Sequence, residues 1–278
     1  MPTPPKSRAS DSLQQPGASA RPAAVAGRFY PAHPGELMHA VRGYLRDAAP
    51  APGPAPKAVI APHAGYVYSG SVAGSAYATL VSRCEEIEHV VLLGPAHRVA
   101  LAGLAAPEAS AFSTPLGIVR LDREALDRAL RLPQVEARDD AHALEHSLEV
   151  HLPFLQELLG DFALAPLVVG DATPAEVAEV LELLWGGSET LVVVSTDLSH
   201  YHDYATARAM DAQTSRAIEA LEPEGIGVEQ ACGRIAVQGL LRVAKQRGLR
   251  ARALDVRSSG DTAGPRDAVV GYGAYAVG

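Results

Sequence analysis

The 278-residue chain has two cysteines, Cys84 and Cys232. Two are too few for a disulfide framework, so nothing points to an oxidising compartment. No apolar run comes near the roughly 20 residues that a membrane-crossing helix requires. Excess positive charge is missing as well: 24 Lys and Arg stand against 32 Asp and Glu, a net charge of −8. That balance argues against nucleic acid or anionic lipid as the main partner. The stretch from Met1 to Arg21 is rich in Pro, Ser, Ala and Gln and has no continuous apolar core. It is therefore no secretory signal, and it lacks the apolar content to fold. A G-x-S-x-G elbow, a P-loop and a G-x-G-x-x-G fingerprint are all absent, which weakens serine hydrolase, NTPase and dinucleotide readings. These absences predict a cytoplasmic protein without membrane or nucleic-acid partners, with a disordered tail over 1–22 and one domain over 23–278.

What is present is a globular composition, 47% hydrophobic and 20% charged, long enough for a sizeable core. Leu37, Val41 and Leu45 recur at i, i+4 and i+8 and predict an amphipathic helix from Pro34 to Asp47. The proline-rich run Ala49–Pro56 reads as a connector. From residue 57 the pattern alternates. Strand-like runs cover 57–61, 88–93, 101–106, 163–168, 190–195, 251–256 and 269–276; helix-like runs cover 69–82, 122–131, 145–159, 174–185, 205–220 and 231–247. This predicts an α/β single domain with a largely parallel or mixed central sheet flanked by helices. In such sheets ligands gather beyond the carboxyl ends of the strands.

Three turns carry metal-ligating side chains. His63 follows Ala-Val-Ile-Ala-Pro, His97 follows Leu-Leu-Gly-Pro-Ala, and Cys232 precedes a helical apolar pattern. Imidazole and thiolate donors suit Fe, Cu or Zn. Each also has a plainer reading, as a loop histidine bonded to backbone, a surface histidine, or a buried inert cysteine. At a helix N-terminus, Cys232 would have a lowered pKa. Gly70 and Gly74 share one helical face, which would allow close approach to the sheet. The strand-like Leu191–Ser195 runs into Thr196-Asp197-Leu198-Ser199-His200-Tyr201-His202-Asp203. There, Asp197 could orient His200 as a base, or Asp197 or Ser199 could cap a helix. His142, Glu145 and His146 spell H-x-x-E-H, an inverted zincin motif. That gives a remote zinc metallopeptidase alternative, although Pro153 limits any helix here. The favoured role for Glu145, His146, Glu149 and His151 is a polar wall beside the site, and Tyr66 is a core or pocket residue.

Taken together, Gly27–Pro31, Ala61-Pro-His-Ala-Gly-Tyr-Val-Tyr-Ser-Gly70, Leu93-Gly-Pro-Ala-His97, Glu145-His-Ser-Leu-Glu-Val-His-Leu-Pro-Phe154, Ser195-Thr-Asp-Leu-Ser-His200 and Ala231-Cys-Gly-Arg234 resemble, in order, the Memo family (mediator of ErbB-driven cell motility). Its bacterial and archaeal members are called AmmeMemoRadiSam system protein B. The family is similar in fold to class III extradiol dioxygenases, which use non-haem Fe(II). The resemblance implies His63, His97 and Cys232 as metal ligands and His200 as an acid/base, with Asp197 beside it. A thiolate in place of the dioxygenases' carboxylate favours Cu or Zn alongside iron. Implied partners are a small-molecule substrate and, in bacteria, radical SAM and AMMECR-type proteins. The implied function is a non-haem iron- or copper-dependent oxidoreductase. Its alternative is a non-enzymatic metal- or partner-binding protein in a radical SAM-associated system. The chain departs from the animal pattern at Arg98, where animal members have a second histidine, and after Arg234, where Ile-Ala-Val replaces His-Pro-Ile. The peptide-binding and motility roles are therefore not carried over. Arg98 and Arg234 would add positive charge suited to an anionic substrate.

Overall fold

A computed structural model describes residues 20–49 and 53–278. In chain order, the described part opens with β1 (Ala20–Arg21), α1 (Pro34–Asp47), β2 (Ala58–Ala61), α2 (Tyr66–Tyr77), β3 (His89–Pro95) and β4 (Leu104–Ala106). Next come β5 (Ala111–Thr114), β6 (Gly117–Leu121), α3 (Arg123–Ala129), β7 (Val135–Ala137), α4 (Asp139–Ala143), α5 (Leu152–Leu159), β8 (Ala163–Val169) and α6 (Pro174–Leu184). The chain ends with β9 (Thr190–Ser195), β10 (His200–His202), α7 (Tyr204–Glu219), α8 (Arg234–Gln246), β11 (Ala251–Ser258), α9 (Ser259–Thr262) and β12 (Val269–Val277).

The middle of the sheet is parallel, in the order β8-β3-β9-β2. These are the continuous Val, Ile and Leu runs, and nearly every residue in them is buried. Such runs are stable only where helices cover both faces of a sheet. Further strands complete the sheet on both sides, antiparallel at β12–β2 and parallel at β6–β8. β12 joins β2 and carries β11 and β10, while the β5–β6 hairpin joins β8 through β6. The protein is thus one α/β domain on a mixed sheet, as the alternating pattern predicts. Among the described residues no helix is long and apolar enough to cross a membrane.

The predicted Pro34–Asp47 helix forms as α1, with Leu37 and Val41 fully buried. Gly70 and Gly74 serve a different neighbour from the one expected. A Cβ on either would meet Tyr44 of α1 at 2.6 Å, so the glycines admit a helix rather than the sheet. The 145–159 run becomes helical from Glu149 onward. A short 3-10 turn, Glu149–His151, leads into α5, and Pro153 sits in the first turn of α5, where its missing N–H costs nothing. Of the predicted 1–22 tail, Ala20, Arg21 and Pro22 are described. Ala20 and Arg21 pair with Ala111 and Phe112 of β5, and Arg21 is buried. The rest of that predicted tail, and Pro50, Ala51 and Pro52 of the connector, lie outside the described residues.

Candidate metal centre

His63 lies two residues past the end of β2, His97 two past β3, and Asp197 two past β9. These three strands are neighbours and point the same way. Their carboxyl ends therefore deliver all three side chains to one edge of the sheet. They open into a cleft of about 590 Å³ whose lining includes His63, His97, Arg98, His146, Asp197 and His200. Nitrogens of His63, His97 and His146 all lie within 4.8 Å of one another, a group able to hold a metal ion. The His97 and His146 rings stack at 4.7 Å, and His63 meets each of them edge-on.

The His97 and His63 rings are held from behind. His97 Nδ1 lies 2.9 Å from Glu145 Oε1, and the backbone N–H of His97 donates to Glu145 Oε2 at 2.6 Å. The same carboxylate accepts the N–H groups of His146 and Ser147, both at 2.8 Å. Burial works against ionising Glu145, but the His97 ring and these amides outweigh it and hold its pKa down to about 2. Glu145 therefore remains a carboxylate. His63 Nδ1 lies 2.6 Å from Ser195 Oγ, with Nε2 turned toward Cys232 Sγ at 3.4 Å. Burial, then the neighbouring His97 and His146, push the His63 pKa well below its ordinary value. Burial and His97 likewise lower His146 to about 4. Neutral imidazoles are the form that binds metal. His146 Nδ1 is buried without a hydrogen-bond partner, and the group as a whole is a donor set suited to iron, copper or zinc.

Cys232 sits differently from the expectation. α8 starts at Arg234 with Gly233 as its N-cap, so the thiol precedes the cap and is not the helix's first donor. Its Sγ accepts the Asp197 N–H at 3.3 Å. Burial, then the Asp197 carboxyl, push the thiol up to about 12 rather than down. Asp197 and Ser199 do not cap a helix either. That role falls to Asp203, which accepts the N–H groups of Ala205 and Thr206. Nor does Asp197 orient His200. Its Oδ1 accepts the His63 N–H at 2.8 Å, while the His200 ring bonds the Leu198 backbone. Burial raises Asp197 to about 7 against the opposing pull of the His63 amide.

The polar residues of 142–151 are distributed around the site. The H-x-x-E-H geometry is not formed. α4 ends at Ala143, His142 turns inward so that its Nε2 meets the Ala105 carbonyl, and the metal-competent group excludes it. Glu149 is fully buried and anchors the entry of the chain. It accepts Arg21 Nη1 at 2.6 Å, the Ala24 and Val25 amides, and the Tyr30 hydroxyl. His151 contacts Ser195 and Tyr77. Tyr66 is core, its hydroxyl donating to the Val150 carbonyl. Arg234 begins α8 outside the cleft lining, whereas Arg98 is part of it. Sequence reasoning missed Ser195, which reads as the polar end of a strand. Its only signal is a serine directly after three buried valines.

The family model described as Memo-like protein matches residues 21–276. A MEMO1 family protein of Ignicoccus hospitalis is 37% identical, over 91% of this chain and 97% of the relative. Others from Archaeoglobus fulgidus and Aquifex aeolicus are 37% and 35% identical, over 89% and 91% of this chain and 95% and 97% of theirs.

Proposed function

The chain belongs to the Memo-like protein family, and from that premise we propose that it is a non-haem iron- or copper-dependent oxidoreductase. His63, His97 and Cys232 are its metal ligands in this reading, and His200 is its proton-handling group. The observation that carries the reading is the convergence of His63, His97 and His146 at the strand ends, with Cys232 Sγ against His63 Nε2. A redox metal held there would supply Lewis acidity and electron transfer. The protein's own residues do the rest. Glu145 and Ser195 fix the rings of His97 and His63, and the Asp197 carboxylate ties the His63 backbone to the end of β9. His200 lines the same cleft with a burial-lowered pKa, so at neutral pH it is an unprotonated base able to take a substrate proton. His146, stacked on His97, borders the substrate position.

Metal analysis of protein purified without added metal tests the ligand set. His63→Ala, His97→Ala and Cys232→Ser should each lower metal content, and His146→Ala and His142→Ala should not. Full metal in all of the first three variants refutes the assignment. If His146→Ala empties the site while Cys232→Ser does not, the third ligand is His146. For the reaction class, oxygen uptake is followed after anaerobic Fe(II) reconstitution with catechol-type substrates. Stoichiometric metal without uptake counts against the dioxygenase form and favours a metal-binding protein without turnover.

A further inference from the structure

Ser195 is fully buried at the end of β9 and makes three contacts through one hydroxyl. Its Oγ is 2.6 Å from the Ser147 carbonyl oxygen, 2.6 Å from His63 Nδ1 and 2.8 Å from His151 Nε2. A serine hydroxyl has one proton and two lone pairs, and a carbonyl can only accept. The Ser195 proton must therefore go to Ser147. Both remaining contacts must then be N–H groups donating to the two lone pairs. That settles both rings at once: His63 has its proton on Nδ1 and His151 has its own on Nε2. The rest of the network closes without conflict. His151 Nδ1 is left as an acceptor, and the Tyr77 hydroxyl stands 2.9 Å away to donate to it. His63 Nε2 is left as a lone pair facing the cleft, with the Cys232 thiol 3.4 Å away.

We infer that Ser195 is the positioning residue of His63, holding it in the one neutral tautomer that turns an Nε2 lone pair into the cleft. This goes beyond the proposed ligand set but rests on it for its functional meaning. The opposite tautomer would place a proton on Nε2, where a ligand needs a lone pair, and would have to accept at Nδ1 from a hydroxyl whose proton is already committed. His151 contributes by filling the second lone pair of Ser195, which leaves the serine no freedom to rotate its proton toward His63. In metal proteins the groups bonded to the outer nitrogen of a ligating histidine commonly govern affinity by roughly 10- to 100-fold.

Nitrogen-15 spectra of the imidazole rings in the full-length, metal-free chain test the inference, with His63 assigned by the signal lost in His63→Ala. The expected signature is a protonated Nδ1 and unprotonated Nε2 on His63. An Nε2–H tautomer overturns the inference. Ser195→Ala should convert His63 to a mixture of tautomers and weaken Zn(II), used alone as the probe, roughly 10- to 100-fold. Tyr77→Phe removes a more remote member of the network and should leave the His63 tautomer and Zn(II) affinity as they are. If Ser195→Ala changes neither readout, or if Tyr77→Phe changes both equally, Ser195 has no special hold on His63. Failure of the wild type to bind Zn(II) or iron would instead count against the proposed metal site, and the tautomer spectra would still decide the role of Ser195.

Discussion

Single carboxylates hold this site together, and their removal should be felt far from where they sit in the chain. Glu145 presents its two oxygens to two backbone or ring groups of His97 and to the amides of His146 and Ser147. Glu145→Gln replaces one acceptor with an NH₂ that faces N–H donors. Metal affinity should fall roughly 10- to 100-fold while His142→Ala, made alongside it, stays at the wild-type value; isothermal titration with Zn(II) measures both. Arg21 and Glu149 form a pair at 2.6 Å with side chains only 5% and 0% exposed. Arg21→Ala leaves a buried carboxylate without its cation and should cost about 3–5 kcal/mol in urea unfolding. A loss below about 1 kcal/mol, the range of an exposed pair, would mean that Arg21 is not the partner on which Glu149 depends. The sequence made Glu145, Glu149 and His151 legible as a polar group beside a site, because charge between apolar residues must find partners. It could not say which partners. Those of Glu149 lie more than a hundred residues away, and Arg21 among them falls in a segment that composition alone assigns to a tail.

Secondary elements position the site by how closely they can approach, and two glycines allow opposite tests of that. A Cβ on Gly233 would lie 2.4 Å from the Ser195 carbonyl oxygen and 2.8 Å from Thr196 Cβ, so the turn bearing Cys232 can reach the end of β9 only without a side chain there. Gly233→Ala should therefore lose metal and also destabilise the fold by about 1–3 kcal/mol. On the other side, a Cβ on Gly74 would lie 2.6 Å from the Tyr44 carbonyl oxygen, at the α1–α2 contact. Gly74→Ala should lower the melting temperature comparably and leave metal per chain unchanged. Metal analysis beside a thermal melt separates the two, and full loading in Gly233→Ala would show that the Cys232 turn does not depend on that approach. At this scale the sequence was most informative where burial is two-sided. β2, β3, β8 and β9 appear almost to the residue, since an unbroken Val, Ile and Leu run has few alternatives. It was silent on β5 and β6, runs of only four and five residues, the second of which mixes exposed and buried positions. It was silent too on β10, three residues paired to β12 across a register shift. The cap of α7 was misplaced because Asp197, Ser199 and Asp203 are equally able to cap, and only the fold decides which of them faces free amides.

The whole molecule should register the metal through its stability, because the candidate ligands come from turns that folding alone brings together. His63, His97 and Cys232 follow β2, follow β3 and precede α8, so the unfolded chain has no comparable site. An ion that binds only the folded state adds RT ln(1 + [L]/Kd), about 2.7 kcal/mol at a hundredfold excess over Kd. For a chain of this size that corresponds to a rise in melting temperature on the order of 5–10 °C. Zn(II) or anaerobic Fe(II) should produce the rise, a chelator should reverse it, and His63→Ala and His97→Ala should each remove it. The ranking among variants is the sharper result. His200 lines the cleft without belonging to the imidazole group, so His200→Ala should keep the full metal-dependent shift while losing any turnover. If His200→Ala also lost the shift, His200 would belong among the ligands and the division between metal-holding and proton-handling groups would fail. If every variant kept the shift, the ion would be bound elsewhere on the fold.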